Sequence, residues 1–242
     1  MKTIIITGAS GGIGSAIACS LAEKNTNLVL VYNTNKKAVD ELKKKLSTKC
    51  NVMLCKCDLT SEEEVEKMVN SAIKKFSKID CLINCAGISQ FKQIQDISTQ
   101  DYVQIMNNNF LSSLLTTKFV SKNMISNKYG KIINISSMWG VVGASMESLY
   151  SASKGAINTL TLSLAKELGP SNITVNAICP GLIDTKMNNC LNEDDKLAIV
   201  ESTPLGRIGK PEDVANLVKF LTSDKASFIT GQIITIDGGL TL

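Results

Sequence analysis

The chain has 242 residues, 44% hydrophobic and 20% charged, with a net charge of +4. That supplies apolar material for a sizeable core and too little charge excess to point to nucleic acid or a membrane surface. Histidine is absent, which excludes a Ser-His-Asp hydrolase, a Cys-His protease and an HExxH metalloenzyme, and leaves proton transfer to Tyr, Lys, Asp, Glu or Cys. The eight cysteines, at positions 19, 50, 55, 57, 81, 85, 179 and 190, include no CxxC pair. No metal site is expected, and the thiols read as small buried hydrophobes in a reducing compartment. No apolar run reaches signal-peptide or membrane-spanning length, so a cytoplasmic protein is expected.

In chain order, β-rich runs alternate with segments of helical period. Strands are expected over 3–7, 28–32, 52–57, 81–84, 131–136, 174–178 and 232–236, and helices over 12–24, 36–46, 62–76, 99–124, 149–168 and 211–221. Several strands are unbroken apolar runs, the pattern of parallel strands covered on both faces. Ser61 before three glutamates, and Pro211 before Glu212 and Asp213, are helix starts whose acids suit the positive end of the dipole. The alternation predicts one α/β domain over 1–242, a doubly wound, seven-stranded parallel sheet with helices on both faces. Residues 180–210 follow a strand end without a clear element. Ligands of such sheets bind beyond the carboxyl ends of the strands, so a substrate lid is expected around 184–210.

The first strand runs into Thr7-Gly8-Ala9-Ser10-Gly11-Gly12-Ile13-Gly14 and then directly into a helix. Glycines let the backbone turn tightly and approach a pyrophosphate that faces the helix N-terminus, which makes Gly8, Ser10, Gly11, Gly12, Ile13 and Gly14 candidate cofactor-binding residues. The second strand ends in Tyr32-Asn33-Thr34-Asn35-Lys36-Lys37, with no acid before Asp40. An acid there would bind the 2′-hydroxyl of NAD. Asn33, Lys36 and Lys37 suit a 2′-phosphate, which favours NADP(H) over NAD(H). The two lysines also fit a solvated helix start.

Tyr150 and Lys154 are one helical turn apart, so phenol and ammonium can be neighbours. A cation beside a phenol lowers its pKa and improves it as an acid near neutrality. The pair follows the strand ending in Ile135-Ser136-Ser137, where a hydroxyl at the sheet's carboxyl edge can polarise a carbonyl.

Taken together, the motifs resemble the short-chain dehydrogenase/reductase family over essentially the whole chain. The family's glycine pattern falls on Gly8, Gly12 and Gly14, its adenine-contacting acid on Asp58 beside Leu59, and its NxAG motif on Asn84-Cys85-Ala86-Gly87. Its catalytic asparagine falls on Asn109, in a run of three asparagines that leaves the register open. Ser137, thirteen residues before Tyr150, fits the spacing of the catalytic serine, and Pro180, Gly181, Ile183 and Thr185 fit the segment that meets the nicotinamide. The resemblance implies a single-domain Rossmann fold in which Tyr150 gives a proton to the substrate oxygen and Lys154 holds the ribose and depresses the Tyr150 pKa. It also implies that Ser137 orients the carbonyl and that Asn109 anchors a water leading to Lys154.

Within the family the chain is most similar to 3-oxoacyl-carrier-protein reductases, through Pro204-Leu205-Gly206-Arg207 and the ending around Asp237-Gly238-Gly239. That makes acyl carrier protein a candidate partner. Arg207 is read as a structural ion pair. Where carrier-protein reductases often place a basic residue for docking, this chain has Pro170-Ser171-Asn172, although Lys128 keeps a second basic position. The stretch from Met138-Trp139-Gly140 to Glu147 instead resembles reductases of a 5-aminopentanone group carried on elongation factor P, with Glu147 facing the amine or simply starting a helix. Met138, Met146, Met187 and Leu191 are candidates for an apolar pocket wall. A catalytically idle NADP-binding sensor is the alternative from another class, against which the intact Ser, Tyr, Lys and Asn set argues. The resemblance further implies a homotetramer or homodimer, and Cys85 and Cys179, beside cofactor motifs, are candidates for inhibitory oxidation.

Overall fold

In the computed structural model, which describes residues 1–188 and 192–242, seven strands form one parallel sheet in the order β3-β2-β1-β4-β5-β6-β7. The strands are β1 (Lys2–Ile6), β2 (Thr26–Tyr32), β3 (Asn51–Lys56), β4 (Cys81–Asn84), β5 (Gly130–Ile135), β6 (Ile173–Pro180) and β7 (Ile233–Ile236). Between them run α1 (Gly12–Leu21), α2 (Lys36–Leu46), α3 (Glu62–Phe76), α4 (Thr99–Met106), α5 (Ser112–Asn127), α6 (Trp139–Val142), α7 (Ser148–Leu168), α8 (Glu193–Ser202) and α9 (Pro211–Leu221). The expectations for Cys190 and Leu191 lie outside the described residues.

Side chains alternate across the sheet, and both faces are covered. Ile4, Ile6, Leu28 and Leu30 pack against α1, α2 and α9, while Ile5, Val29, Val31 and Ile132 pack against α3, α5 and α7. This two-sided burial is why these strands read as unbroken apolar runs. Strand order reverses between β1 and β4, and the carboxyl ends of these two strands open onto the cleft where such sheets take ligands. Among the described residues no helix is long and apolar enough to cross a membrane.

Three departures from the sequence reading have local causes. Helix α1 stops at Leu21 rather than 24, because the Thr26 hydroxyl accepts from Glu23 N–H (3.1 Å) and donates to the Leu21 carbonyl (3.2 Å). The single helix expected over 99–124 is divided by a π-helical turn at Asn107–Leu111, where the Ser112 N–H reaches back five residues to Asn107. Finally, 180–210 is not featureless. It holds a short turn at Lys186–Asn188 and the helix α8, opened by a capping box between Asn192 and Asp195. No residue of α8 is buried, so it lacks the apolar stripe by which a helix shows in sequence.

Candidate active site

The glycine turn after β1 sits against the loop after β4. Gly8 has a left-handed φ of +64°, and a Cβ there would stand 2.9 Å from the Ala86 backbone, a position only glycine occupies without strain. Buried Thr7 fixes the approach, its hydroxyl accepting from Cys85 N–H (3.0 Å) and Ala86 N–H (3.1 Å). A Cβ on Gly14 would lie 2.3 Å from the Gly8 carbonyl, and one on Gly12 would lie 2.7 Å from Thr185 Cγ2. The turn is therefore stacked on the first turn of α1, whose Gly11 cap offers no side chain, and is flanked by the segment after β6. Backbone N–H groups at such a helix start suit a pyrophosphate. Ser10, Gly11, Gly12 and Ile13 are all at least partly exposed there.

The other expected cofactor residues fall into two sets. Gly87 borders the cleft, since a Cβ on it would lie 3.1 Å from Asn109 Oδ1 and 3.4 Å from Lys154 Nζ. Gly181 is held by Ile236 (3.0 Å), and the chain then folds back so that Ile183 bridges Gly209 and Thr185 meets Gly12. Asn84 departs from expectation. It is buried, accepts from the Thr116 hydroxyl (2.7 Å) and donates to Thr117 (3.1 Å) and Asn134 (2.9 Å), so its carboxamide binds α5 and β5 together instead of facing a ligand. Asp58, beside Leu59, accepts from the N–H (2.9 Å) and hydroxyl (2.7 Å) of Thr60, closing the turn after β3. Asn33 is exposed, and Lys36 pairs with Asp40 at 3.0 Å on the first turn of α2. The solvated helix start and the 2′-phosphate reading thus meet on one residue.

Ser137, Tyr150, Lys154 and Asn109 converge at the carboxyl end of β5. Ser136 N–H pairs with Ile178 (2.8 Å) and Met138 N–H with Pro180 (3.0 Å), which extends the β5–β6 ladder and aims Ser137 into the cleft. Helix α7 is pinned beneath by the Ser136 hydroxyl on the Lys154 carbonyl (3.0 Å) and by Asn158 on the Gly140 carbonyl (2.9 Å). The tight fit of α6 on α7 needs Gly140, where a Cβ would stand 2.7 Å from the Lys154 carbonyl carbon.

Burial pushes the Tyr150 phenol up to about 12, opposed by a hydrogen bond with the Ser137 hydroxyl. Burial also brings the Lys154 ammonium down to about 8. The ammonium donates to the Ile135 carbonyl (3.0 Å) and lies 5.7 Å from the centroid of the tyrosine ring, so burial dominates and the phenol is held protonated.

The three asparagines are resolved by burial. Asn108 donates back to the Gln104 carbonyl (2.8 Å), whereas Asn109 is 1% exposed and enters the site. Its Oδ1 accepts from Ile88 N–H (2.8 Å), and its Nδ2 donates to the Ile88 carbonyl (3.0 Å) and to Ser153 Oγ (2.9 Å). The π-helical turn is what carries Asn109 to this partner. Thr7, Ser136 and Ser153 were missed by the sequence reading. A hydroxyl beside a motif has no signature of its own, because its partners are distant in the chain.

Arg207 forms a two-point ion pair with Asp213 (2.7 and 3.1 Å), the structural role expected for it. Cys50, Cys57, Cys81 and Cys179 are buried, Cys19, Cys55 and Cys85 are half-buried, and none of the described cysteines is in a disulfide. Burial pushes the Cys85 thiol up to about 12 and raises Cys179 as well, which disfavours the reactive thiolate. No group of His, Cys, Asp or Glu among the described residues is placed to hold a metal.

A doubly wound dinucleotide fold with a Ser, Tyr, Lys and Asn cluster at its cleft defines the class, and comparison with known proteins agrees. A family model described as enoyl-(acyl carrier protein) reductase matches residues 8–241. The uncharacterized oxidoreductase YmfI of Bacillus subtilis is 41% identical over 98% of both chains. The 3-oxoacyl-[acyl-carrier-protein] reductase FabG of Rickettsia conorii is 39% identical over 100% of this chain and 97% of its own. Among solved structures, a dehydrogenase/reductase from Sinorhizobium meliloti superposes with a TM-score of 0.93 at 32% identity, covering 100% of this chain and 95% of the other. The chain belongs to the short-chain dehydrogenase/reductase family of oxidoreductases.

Proposed function

We propose that the protein is an NADPH-dependent ketone reductase of the 3-oxoacyl-carrier-protein reductase kind, with Tyr150 as proton donor. The observation that carries this reading is the convergence of Ser137, Tyr150 and Lys154 at the carboxyl end of β5, beside the loop after β4, with the phenol hydrogen-bonded to Ser137. A protonated phenol beside a hydroxyl is equipped to bind a carbonyl oxygen and protonate the alkoxide that forms on it. The cradle of Gly8, Gly12 and Gly14 fits a dinucleotide pyrophosphate, with Gly87, Gly181, Ile183 and Thr185 around the nicotinamide end and Lys154 at the ribose. Bound there, a nicotinamide would supply the hydride. Lys36, with Asn33, would meet the 2′-phosphate.

In this reading Ser137 orients the carbonyl and shares the proton of Tyr150. Asn109, whose side chain is committed to Ile88 and Ser153, holds the turn after β4 beside Lys154, where it would also anchor a water leading to Lys154. Residues 184–210 would cover the substrate. Edge strand β7, with the exposed Phe228 and Leu242 at its flanks, would join copies into a homotetramer or homodimer.

One observation favours a second substrate, the 5-aminopentanone group on elongation factor P. Glu147 is half-buried near Tyr150, and its pKa is raised by burial and opposed only by a hydrogen bond from Trp139. A desolvated carboxylate that forms no ion pair among the described residues suits an ammonium ligand.

The test is NADPH and NADH oxidation with acetoacetyl thioester, the same group on carrier protein, and the modified elongation factor. Reduction of the carrier-bound group is expected, with Tyr150→Phe losing turnover and keeping NADPH binding. Turnover confined to the elongation factor and lost in Glu147→Gln would establish the second substrate. Near-normal turnover by Tyr150→Phe would overturn the site assignment.

A further inference from the structure

Four non-glycine residues among those described have a left-handed backbone. Ser77, Lys128 and Asn172 are C-caps of α3, α5 and the turn Gly169–Ser171, where that geometry ends a helix. Met146, with φ +64°, is the exception. It lies just before Glu147, the N-cap of the helix that carries Tyr150 and Lys154. A non-glycine residue holds this conformation where its surroundings enforce it.

The enforcing contact comes from the loop after β4. Lys92 N–H donates to the Met146 carbonyl at 2.7 Å, across 54 residues of chain. The loop is in turn gathered by one buried carboxylate on the first turn of α4. Asp101 Oδ2 accepts from Lys92 Nζ (2.7 Å), from the Ser98 hydroxyl (2.7 Å) and from Ser98 N–H (2.8 Å), and Oδ1 accepts from Gln90 Nε2. These bonds hold the Asp101 carboxyl well below the usual carboxylate range, the Lys92 ammonium contributing most. The mechanism above gives this network no task, although it links the β4 loop to the segment 138–147 that leads from Ser137 to the helix of Tyr150.

We propose that Asp101 is a positioning residue for the keto substrate: through Lys92 it fixes the β4 loop so that the Lys92 N–H holds Met146 left-handed and sets Glu147 and the 138–147 wall against Tyr150. Asp101 touches neither substrate nor cofactor. This rests on the ketone-reductase reading for its substrate, and on the hydrogen bonds alone for its mechanics. Loosening the wall makes each substrate reorder it on binding, so the loss falls on substrate binding, while the glycine turn keeps its own ties to Cys85 and Ala86 through the Thr7 hydroxyl.

The test combines Lys92→Ala, which keeps the main-chain N–H and removes the tether, with Asp101→Asn and the conservative Lys92→Arg. Hydrogen exchange at the position-92 amide is expected to accelerate about tenfold or more in Lys92→Ala and Asp101→Asn and to stay near normal in Lys92→Arg. The ketone KM is expected to rise about tenfold in the first two, with kcat and NADPH affinity within about twofold. Unchanged exchange would overturn the clamp, and faster exchange with an unchanged KM would overturn its role in substrate positioning. If the unaltered protein reduces no ketone, the reductase reading fails and the substrate role with it. That outcome is distinguishable, because exchange is read without substrate.

Discussion

Lys154 is expected to serve the reaction, and its burial should cost stability. It is 6% exposed, and burial brings its pKa from 10.5 down to about 8. At about 1.4 kcal/mol per pH unit, the charged form in the folded chain costs about 3 kcal/mol. Replacing it by the near-isosteric methionine removes that cost and leaves the Ile135 carbonyl without its donor, a loss of about 1 kcal/mol. Lys154→Met is therefore expected to be more stable by about 2 kcal/mol at pH 7, a rise in Tm of about 6 °C for a chain this size, while ketone reduction collapses. The folded pKa lies below the unfolded one, so the lysine's relative contribution is worst below pH 8 and recovers as pH rises from about 8 to 10.5. Calorimetry of the cofactor-free protein at pH 7, 9 and 10.5 should show the gap between variant and parent closing. A lower Tm for Lys154→Met at pH 7, or a gap that ignores pH, would refute the reasoning and make the buried ammonium a net stabiliser.

Three further outcomes are expected. Gly14→Ala places a Cβ 2.3 Å from the Gly8 carbonyl, so the turn must open and NADPH affinity should fall more than about tenfold by fluorescence titration; unimpaired binding would mean that the turn is not the phosphate site. Lys36→Ala should lower the NADPH-to-NADH preference about tenfold and Asp40→Asn should raise it, because Asp40 competes for the ammonium at 3.0 Å; an equal loss for both cofactors would return Lys36 to a plain helix start. With its thiol at about 12, Cys85 should resist peroxide and slow-reacting alkylating agents at pH 7.5, as mass spectrometry can show, and rapid modification would place an unrecognised cation beside it.

Most of the framework was legible in the sequence because its signals are local. Unbroken apolar runs such as Leu28–Val29–Leu30–Val31–Tyr32 on β2 report burial on both faces, and the glycines of the first turn report a backbone that must bend without side chains. The spacing of Tyr150 and Lys154 is a helical neighbour relation that needs no tertiary knowledge. Even the register of Asn109 was nearly readable, and only its burial against Ile88 separates it from Asn107 and Asn108.

What the tertiary structure decided are relations between residues far apart in the chain. The sequence places an ammonium one turn from a phenol and suggests that it acidifies it. The fold adds what spacing does not show: it buries both groups and turns Lys154 to the Ile135 carbonyl. Asn84 reads as a cofactor ligand until Thr116, Thr117 and Asn134 arrive to occupy it. The network of Asp101, Lys92 and Met146 has no motif, since one of its contacts spans 54 residues. Periodicity and spacing are written along the chain, whereas solvation and long-range hydrogen bonds exist only once the sheet has brought the segments together.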